Sequence, residues 1–216
     1  MSDPRTRHSP ARPAVAGLIL AAGEARRLGE PKAAAIAHGK TFAAHLTHAL
    51  RAGGIDSILA AVGGHEKATR AAFGEIHGVN CFRVRHPEEG PIASLREGLE
   101  NFSKASDVRG VIVAPVDHPA ILPSTIVALC QAAAASSCPI IAPCLAGQRG
   151  HPTYFAREIW AELAAPDLAQ GARTVVRRDP NRVREVAVAD PGILLNIDTP
   201  ESLARWRETP LTPTAR

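Results

Sequence analysis

Short apolar runs alternate with longer segments of helical periodicity along most of the chain. Two runs, 17–21 and 111–116, are apolar without alternation, which predicts central strands that are buried on both faces. Strands that alternate with helices predict a mostly parallel sheet covered on both sides, a single three-layer α/β/α domain. The predicted strands span 15–21, 57–62, 80–85, 110–116, 139–142 and 183–188. The predicted helices span 41–52, 67–73, 92–102, 124–135, 155–163, 171–178 and 199–206.

The two ends of the chain differ from this pattern. Residues 1–13 and 208–216 are polar, rich in proline and without periodicity. We therefore expect a disordered N-terminal extension and a flexible tail on either side of one domain at 14–207. A length of 216 residues with 45% apolar residues suits a single hydrophobic core.

Composition excludes several classes of function. A formal net charge of +4 and 4% aromatic residues, with no cluster that interleaves bases and aromatic rings, predict no nucleic-acid surface. No apolar stretch approaches the roughly 20 residues of a membrane-spanning helix. The four cysteines form no C-x-x-C pair, which predicts free thiols in a reducing compartment. We expect a cytoplasmic protein that binds neither nucleic acid nor membrane.

The loop after the first predicted strand carries the chemistry that a triphosphate requires. The strand ends in the small residues 21–23, and the loop holds Arg26, Arg27 and Lys32. Small residues let backbone N–H groups approach phosphate oxygens, and fixed cations neutralise the charge of a leaving group. The dinucleotide pattern G-x-G-x-x-G is absent, and Ala34 stands where a Walker pattern needs glycine. A solvated basic loop is the alternative.

Asp117 follows the buried run 111–116 and is the candidate metal ligand. An unpaired carboxylate beside a core is costly, so its position at a strand end needs a reason. Mg²⁺ takes few protein oxygens and completes its octahedron with phosphate and water, so Asp117 and one partner would suffice. Asp198 or Asn196 is the predicted partner. A turn or helix cap is the alternative for Asp117, and a helix cap is the alternative for Asp198.

Five segments resemble motifs of a known enzyme family. Residues 20–32 (LAAGEARRLGEPK) look like the L-A-A/G-G-x-S-x-R-M/L-G-x-x-K signature of molybdenum cofactor cytidylyltransferases and guanylyltransferases. Four later segments resemble motifs of that family in the same order: 90–99 (GPIASLREGL), 115–119 (PVDHP), 149–152 (RGHP) and 195–203 (LNIDTPESL). The resemblance implies a nucleotide-diphospho-sugar transferase-like domain, which is a Rossmann-like form of the predicted α/β/α architecture.

The sequence departs from the family pattern at three places. The serine of the signature is Ala25, the leucine-rich stretch after the lysine is 33–36 (AAAI), and the first aspartate of the closing motif is Asn196. None of these changes removes a principal charge.

The resemblance implies nucleotidyl transfer from a nucleoside triphosphate to a phosphorylated acceptor, first of all molybdopterin, with release of pyrophosphate. Lys32, Arg27 and Asp117 are the expected catalytic residues, which act with Mg²⁺ by in-line positioning and charge neutralisation, without a covalent nucleophile. The expected nucleotide-binding residues are Leu20, Ala21, Ala22, Gly23, Arg27, Lys32, Gly64 and Ser94. Ala22 stands where guanylyltransferases of the family tend to have glycine, which favours CTP over GTP and therefore transfer of CMP.

Arg149 and His151 are the expected acceptor-binding residues, because a guanidinium suits a phosphorylated acceptor. The sequence leaves alternatives for two nucleotide-binding candidates. A plain turn explains Gly64 equally well, and a helix cap explains Ser94.

Other functions stay open from the sequence. A sugar phosphate or another small phosphorylated compound is the alternative acceptor within the same class of reaction. A non-catalytic chaperone that carries nucleotide or cofactor to a molybdoenzyme partner is the alternative from another class, and Ala25 and Asn196 leave room for it. Pyrophosphate release separates the enzyme from the chaperone.

Overall fold

A computed structural model describes residues 14–74, 76, 78–166, 168 and 171–210. The strands are β1 (Ala14–Ala21), β2 (Ile36–Ala37), β3 (Lys40–Thr41), β4 (Ile58–Val62), β5 (Val79–Arg83), β6 (Val108–Pro115), β7 (Ile140–Leu145), β8 (Gln148–Arg149), β9 (Thr153–Ala156) and β10 (Val183–Ala187). The α-helices are α1 (Phe42–Ala52), α2 (Glu66–Gly74), α3 (Pro91–Ser103), α4 (Pro123–Ala134), α5 (Trp160–Leu163), α6 (Ala172–Arg178) and α7 (Pro200–Glu208).

The ends of the chain bear on the predicted boundaries. The predicted extension 1–13 and residues 211–216 of the predicted tail lie outside the described residues. The first residue of that tail instead completes α7, which runs to Glu208. Across the part of the chain that the structure describes, no helix combines the length and apolar character needed to cross a membrane.

Eight strands form one sheet in the order β10-β7-β9-β6-β1-β4-β5, with β8 paired to β7. Strand β1 runs parallel to both of its neighbours, so that Leu18 lies opposite Leu59 on one side and Val113 on the other. Strand β9 runs antiparallel to β6 and β7, and the short β8 is antiparallel to β7. The remaining pairs are parallel. The predicted mostly parallel sheet is confirmed.

Helices cover this sheet on both faces. Leu18 and Ile19 of β1 are fully buried in different core clusters, because adjacent residues of a strand point to opposite faces. The cluster around Ile19 includes side chains of α1, α2, α4 and α7, whereas the cluster around Leu18 includes side chains of α3, α5 and α6. Burial on both faces explains why β1 and β6 lack the alternation of a half-exposed strand. The predicted three-layer domain is confirmed.

The segment predicted as one helix at 155–163 is built differently, so that prediction was wrong. Its first two residues complete β9, where Tyr154 and Phe155 are buried, and the α-helix is limited to α5. Strand β9 fills the position between β6 and β7, and Gly110 on β6 leaves room for the Tyr154 ring. A four-residue strand between two partners is determined by those long-range pairings, which a local apolar pattern does not reveal.

The loops that follow β1, β4 and β6 meet at one edge of the sheet. Val116 N donates to the Leu20 carbonyl oxygen at 3.1 Å, and Gly64 N donates to the Ala22 carbonyl oxygen at 3.4 Å. A Cβ added to Gly63 would lie 2.5 Å from that same Ala22 oxygen, so glycine permits the close approach of the two loops. Ligands of parallel α/β sheets bind beyond the carboxyl ends of the strands, which is where these loops lie.

Candidate active site

Lys32 lies between two carboxylates at this edge of the sheet. Its Nζ donates to Asp117 Oδ2 at 2.9 Å and to Asp198 Oδ1. The side chains of Lys32 and Asp117 are each 19% exposed and that of Asp198 is 14% exposed, so water screens their charges only in part. The structure thus brings together three residues that the sequence predicted for one site.

The loop that carries Lys32 is shaped by short-range contacts. The amides of Leu28 and Gly29 both donate to the Ala25 carbonyl oxygen at 3.1 Å, and Leu28 is buried beneath the turn. Gly29 has a φ of +80°, a conformation that glycine adopts without steric cost. A short 3₁₀ helix, Lys32–Ala34, follows Pro31 and buries Ala33, which anchors the backbone next to the lysine.

The two arginines of the loop have different partners. Arg27 Nη2 donates to Asp198 Oδ2 at 2.6 Å, although the Arg27 side chain is 71% exposed. Arg26 pairs with Glu24 on the solvent side of the same loop, and among the described residues it makes no ion pair with Asp117 or Asp198. Arg27 therefore belongs to the cluster around Lys32, whereas Arg26 fits the alternative of a solvated basic residue.

Asp198 is free to join the cluster because another residue caps the following helix. The Thr199 hydroxyl accepts from Ser202 N at 3.2 Å, and the Ser202 hydroxyl accepts from Thr199 N at 3.0 Å, which completes a capping box at the start of α7. Asn196 is exposed and makes no side-chain hydrogen bond with the residues that the structure describes. Of the two predicted partners of Asp117, the structure places Asp198 beside it and Asn196 apart from it.

The charges of the cluster change the acidity of its members. Burial by itself lowers the pKa of Lys32, but the hydrogen bonds and negative charges of Asp198 and Asp117 outweigh burial, so the pKa is raised. Burial by itself raises the pKa of Asp198, but Lys32 and Arg27 outweigh it, so the pKa is lowered. Lys32 is thus held as an ammonium and Asp198 as a carboxylate at neutral pH.

The donor set fits a divalent cation of the magnesium type. Asp117 and Asp198 offer hard carboxylate oxygens, and both contact the same atom, Lys32 Nζ, so the two carboxylates lie close to each other. No group of three or more metal-binding side chains is present in the ranges that the structure describes. Mg²⁺ binds well through one or two carboxylates together with phosphate and water. These two residues would hold it.

The expected acceptor-binding residues, Arg149 and His151, contact different parts of the structure. Arg149 Nε donates to Glu185 Oε1 on β10 at 2.6 Å, so its guanidinium is engaged at the outer side of the sheet. The His151 ring instead packs against His118, with 4.8 Å between the ring centroids. His118 directly follows Asp117, and its Nε2 lies 4.0 Å from Asp117 Oδ1. Only His151 of the predicted pair lies next to the carboxylate cluster.

His118 and His151 are two packed, uncharged imidazole rings beside the carboxylates. Burial, followed by the effect of His118, lowers the pKa of His151 to about 4, and burial also lowers the pKa of His118. In both rings Nδ1 is buried without a hydrogen-bond partner. Sequence reasoning missed His118, although its position immediately after a predicted metal ligand was the available signal.

Ser94 and Gly64, two further nucleotide-binding candidates, lie in different settings. Ser94 is 2% exposed inside α3, whose N-cap residue is Gly90, so the alternative of a helix cap is wrong for Ser94. Gly64 lies against the loop between β1 and Lys32, residues 22–31, which we call the phosphate loop after its predicted ligand, because a Cβ added to Gly64 would be 3.2 Å from Glu24 Cγ. His65 Nε2 contacts the carbonyl oxygen of Glu24 at 2.9 Å. The loop after β4 thus supports the loop that carries Lys32.

A parallel-dominated sheet with a glycine-containing loop, a lysine and two carboxylates at its edge suits a ligand that carries phosphate groups and a divalent cation. The chain belongs to the MobA-like NTP transferase domain family, whose match covers residues 17–184. It is therefore a nucleotidyltransferase by family, and Asp198 lies beyond the matched range.

Curated relatives match this chain over most of their length. A molybdenum cofactor guanylyltransferase of Cereibacter sphaeroides is 30% identical over 195 residues, which are 88% of this chain and 93% of that protein. A second one, from strain ATCC 17029 of that species, is 29% identical over 194 residues with the same coverage.

Solved structures share the fold of this chain. Rv0371c from Mycobacterium tuberculosis H37Rv is 29% identical with a TM-score of 0.77, and the match covers 92% of this chain and 100% of that one. The manganese complex of Rv0371c has a TM-score of 0.74 at 28% identity, with 91% and 99% covered. A nucleotidyl transferase from Methanothermobacter thermautotroptrophicus shares the fold at 20% identity, with a TM-score of 0.73 over 90% of this chain and 96% of that one.

Proposed function

We propose that the chain transfers a nucleoside monophosphate from a nucleoside triphosphate to the phosphate of molybdopterin, with release of pyrophosphate. The observation that carries the proposal is the position of Lys32 between Asp117 and Asp198, next to the phosphate loop. The names of the curated relatives support molybdopterin as the acceptor. Delivery to a molybdoenzyme partner and a cytoplasmic location remain predictions from the sequence.

The reaction needs no covalent protein intermediate. An oxygen of the acceptor phosphate forms a bond to the α-phosphorus, and the bond from that phosphorus to the oxygen bridging to the β-phosphate breaks. Lys32 and Arg27 supply positive charge where pyrophosphate leaves, and backbone N–H groups of the loop at 23–27 orient the triphosphate. A divalent cation held by Asp117 and Asp198 would supply further charge neutralisation at the phosphates. His118 and His151 offer neutral hydrogen-bonding groups on the acceptor side.

The donor base has two candidates. GTP is the first, because the curated relatives are guanylyltransferases. CTP is the second, carried by Ala22. The steric basis for CTP is weakened by the surroundings of Ala22, which is 7% exposed and packs in one small cluster with Ala61, Val84 and Ala93. The methyl group of Ala22 thus packs inside the protein, so it does little to narrow the space available to the base of the nucleotide.

Pyrophosphate release tests the proposal directly. The assay combines the purified chain with molybdopterin, Mg²⁺ or Mn²⁺, and each of GTP, CTP, ATP and UTP in turn. We expect turnover with GTP first, and preferential turnover with CTP would establish the second candidate. A parallel series replaces molybdopterin with a sugar phosphate, and pyrophosphate release only in that series would mean that the acceptor is a sugar phosphate. Nucleotide binding without pyrophosphate release under any of these conditions would favour the non-catalytic chaperone.

A further inference from the structure

Asp190 is a buried carboxylate that the proposed mechanism does not use. It is 1% exposed, and its three hydrogen-bond donors lie at the start of α4 and in the 3₁₀ turn that follows Asp190. Oδ2 accepts from Leu122 N at 2.9 Å and from the hydroxyl of Thr125 at 2.7 Å, while Oδ1 accepts from Gly192 N at 2.8 Å. Such a buried group is costly unless its lone pairs are satisfied, and here three donors converge on it.

These contacts join two segments that are distant in sequence. Leu122 and Thr125 begin α4, a few residues after Asp117, whereas Asp190 begins the segment that leads to Asp198. The same two segments meet again at the other end, because Ile197 N donates to the Asp117 carbonyl oxygen at 2.8 Å. The chain between Asp190 and Asp198 is therefore fastened to the loop of Asp117 at both of its ends.

Close backbone packing fills the space between these two fastenings. A Cβ added to Gly192 would lie 2.5 Å from the carbonyl carbon of Ala120, so the segment approaches the Asp117 loop more closely than a side chain would allow. His151 N also donates to the Ile193 carbonyl oxygen at 2.9 Å. The loop that leads to Asp198 is therefore held by backbone packing as well as by the side chain of Asp190.

Asp179 shows what the same local motif does without these long-range contacts. Asp179-Pro180-Asn181 and Asp190-Pro191-Gly192 both start a 3₁₀ turn, and each aspartate accepts from the amide two residues later. For Asp179 that contact, 3.0 Å to Asn181 N, is its only side-chain hydrogen bond among the described residues. The contacts to Leu122 and Thr125 therefore serve something other than the turn.

We propose that Asp190 is a positioning residue, whose buried carboxylate docks the loop of Asp198 onto the loop of Asp117 so that the two carboxylates converge on one cation. The expected effect of Asp190 on catalysis rests on the proposed function. Its structural part stands on the contacts of Asp190 alone.

The test uses Asp190→Asn, which keeps the shape of the side chain but replaces one acceptor oxygen by a donor. The matched control is Asp179→Ala, which removes the local contact only. Hydrogen exchange of the Ile197 amide reports docking of the loop, and Mn²⁺ binding without nucleotide reports convergence of Asp117 and Asp198. For Asp190→Asn we expect exchange faster by about tenfold and Mn²⁺ affinity lower by about fivefold, because a satisfied buried acceptor is lost. The control should change neither.

Unchanged exchange and unchanged Mn²⁺ affinity in Asp190→Asn would overturn the proposal, as would equal changes in Asp179→Ala. If Asp190→Asn does not fold, Thr125→Val removes one donor and is measured in the same way, with the same two outcomes. The catalytic consequence is a lower kcat for pyrophosphate release with an unchanged KM for the triphosphate. A wild-type chain that releases no pyrophosphate would defeat the proposed function, while the exchange measurement would still decide the role of Asp190.

Discussion

The two halves of the sheet differ in how their site residues are positioned. In the donor half, which comprises β1, β4, β5 and β6, Lys32, Gly64 and Asp117 lie on connections that follow parallel strands, and Asp198 joins this cluster from the connection after β10. In the acceptor half, which comprises β7, β8, β9 and β10, antiparallel pairs reverse the chain, and neighbours in sequence diverge. Arg149 and His151 show this, because one pairs with Glu185 and the other packs on His118.

The difference between the two halves shows where the order of residues along the chain is enough to predict which side chains become neighbours. A parallel strand delivers the residues after it to one edge of the sheet, so chain order alone predicts that Lys32 and Asp117 are neighbours. The chain leaves β8 at Arg149 and enters β9 at Thr153, so Arg149 and His151 belong to different parts of a tight connection and their contacts depend on strand pairing. We therefore expect substitutions in the donor half to affect catalysis most, and those in the acceptor half to divide between stability and acceptor binding.

The largest effect is expected at the centre of the donor half. Lys32→Ala and Asp117→Ala should each keep the fold and lower kcat for pyrophosphate release by at least about a hundredfold, because each removes a charge from a partly buried cluster. Lys104→Ala is the matched control, since Lys104 is exposed at the C-terminal end of α3. A rate near that of the wild type in either site variant would contradict the assigned roles.

A large loss of stability is expected at Gly150 in the acceptor half. A Cβ there would lie 2.7 Å from the carbonyl carbon of Ile193, so Gly150→Ala should lower the free energy of unfolding. The expected loss is about 2–4 kcal/mol, measured by urea denaturation, because main-chain atoms have to move. Gly74→Ala is the control, since nothing lies within 4 Å of its added Cβ. Equal midpoints for the two variants would show that the connection is looser than described.

A smaller effect separates the two arginines of the phosphate loop. Arg27→Ala should lower kcat by about tenfold, since the Arg27 guanidinium lies at Asp198 and adds positive charge for the leaving pyrophosphate. Arg26→Ala should change kcat by less than about twofold, because Arg26 pairs with Glu24 in solvent. The same initial-rate assay serves for both, and a larger loss for Arg26 would reverse the assignment.

The smallest effects are expected between the two acceptor candidates. His151→Ala should raise KM for the acceptor by about fivefold, because His151 offers a neutral hydrogen-bonding group beside the carboxylates. Arg149→Ala should raise it by less than about twofold, since its guanidinium is engaged by Glu185. KM measured at saturating triphosphate distinguishes them. A greater rise for Arg149 would mean that it leaves Glu185 to bind the acceptor.

Much of the donor half could be predicted from sequence. The buried runs at 17–21 and 111–116 indicated two central strands, and the residues after them, Lys32 and Asp117, form one ion pair. Chain order does not give the capping box of Thr199 and Ser202, which leaves the Asp198 carboxylate available to contact Lys32. Whether Asp198 caps the following helix depends on hydrogen bonds within that helix, which spacing alone left open.

The acceptor half was predicted less well for a physical reason. Tyr154 and Phe155 carry an apolar pattern that suits a helix or a strand, and only pairing with β6 and β7 selects the strand. The partner of Arg149 is Glu185, 36 residues later on the other side of β7. Neither contact leaves a signal within a local window of sequence.

Strand β9 also has a consequence for synthesis of the chain. Until residues 153–156 have left the ribosome, the side of β6 that β9 covers has no partner, although β6 is among the most buried strands of the protein. An uncovered apolar strand is an open template for pairing with another chain. A nascent chain that stalls before Tyr154 would therefore present an unpaired edge of β6 that can pair with another chain.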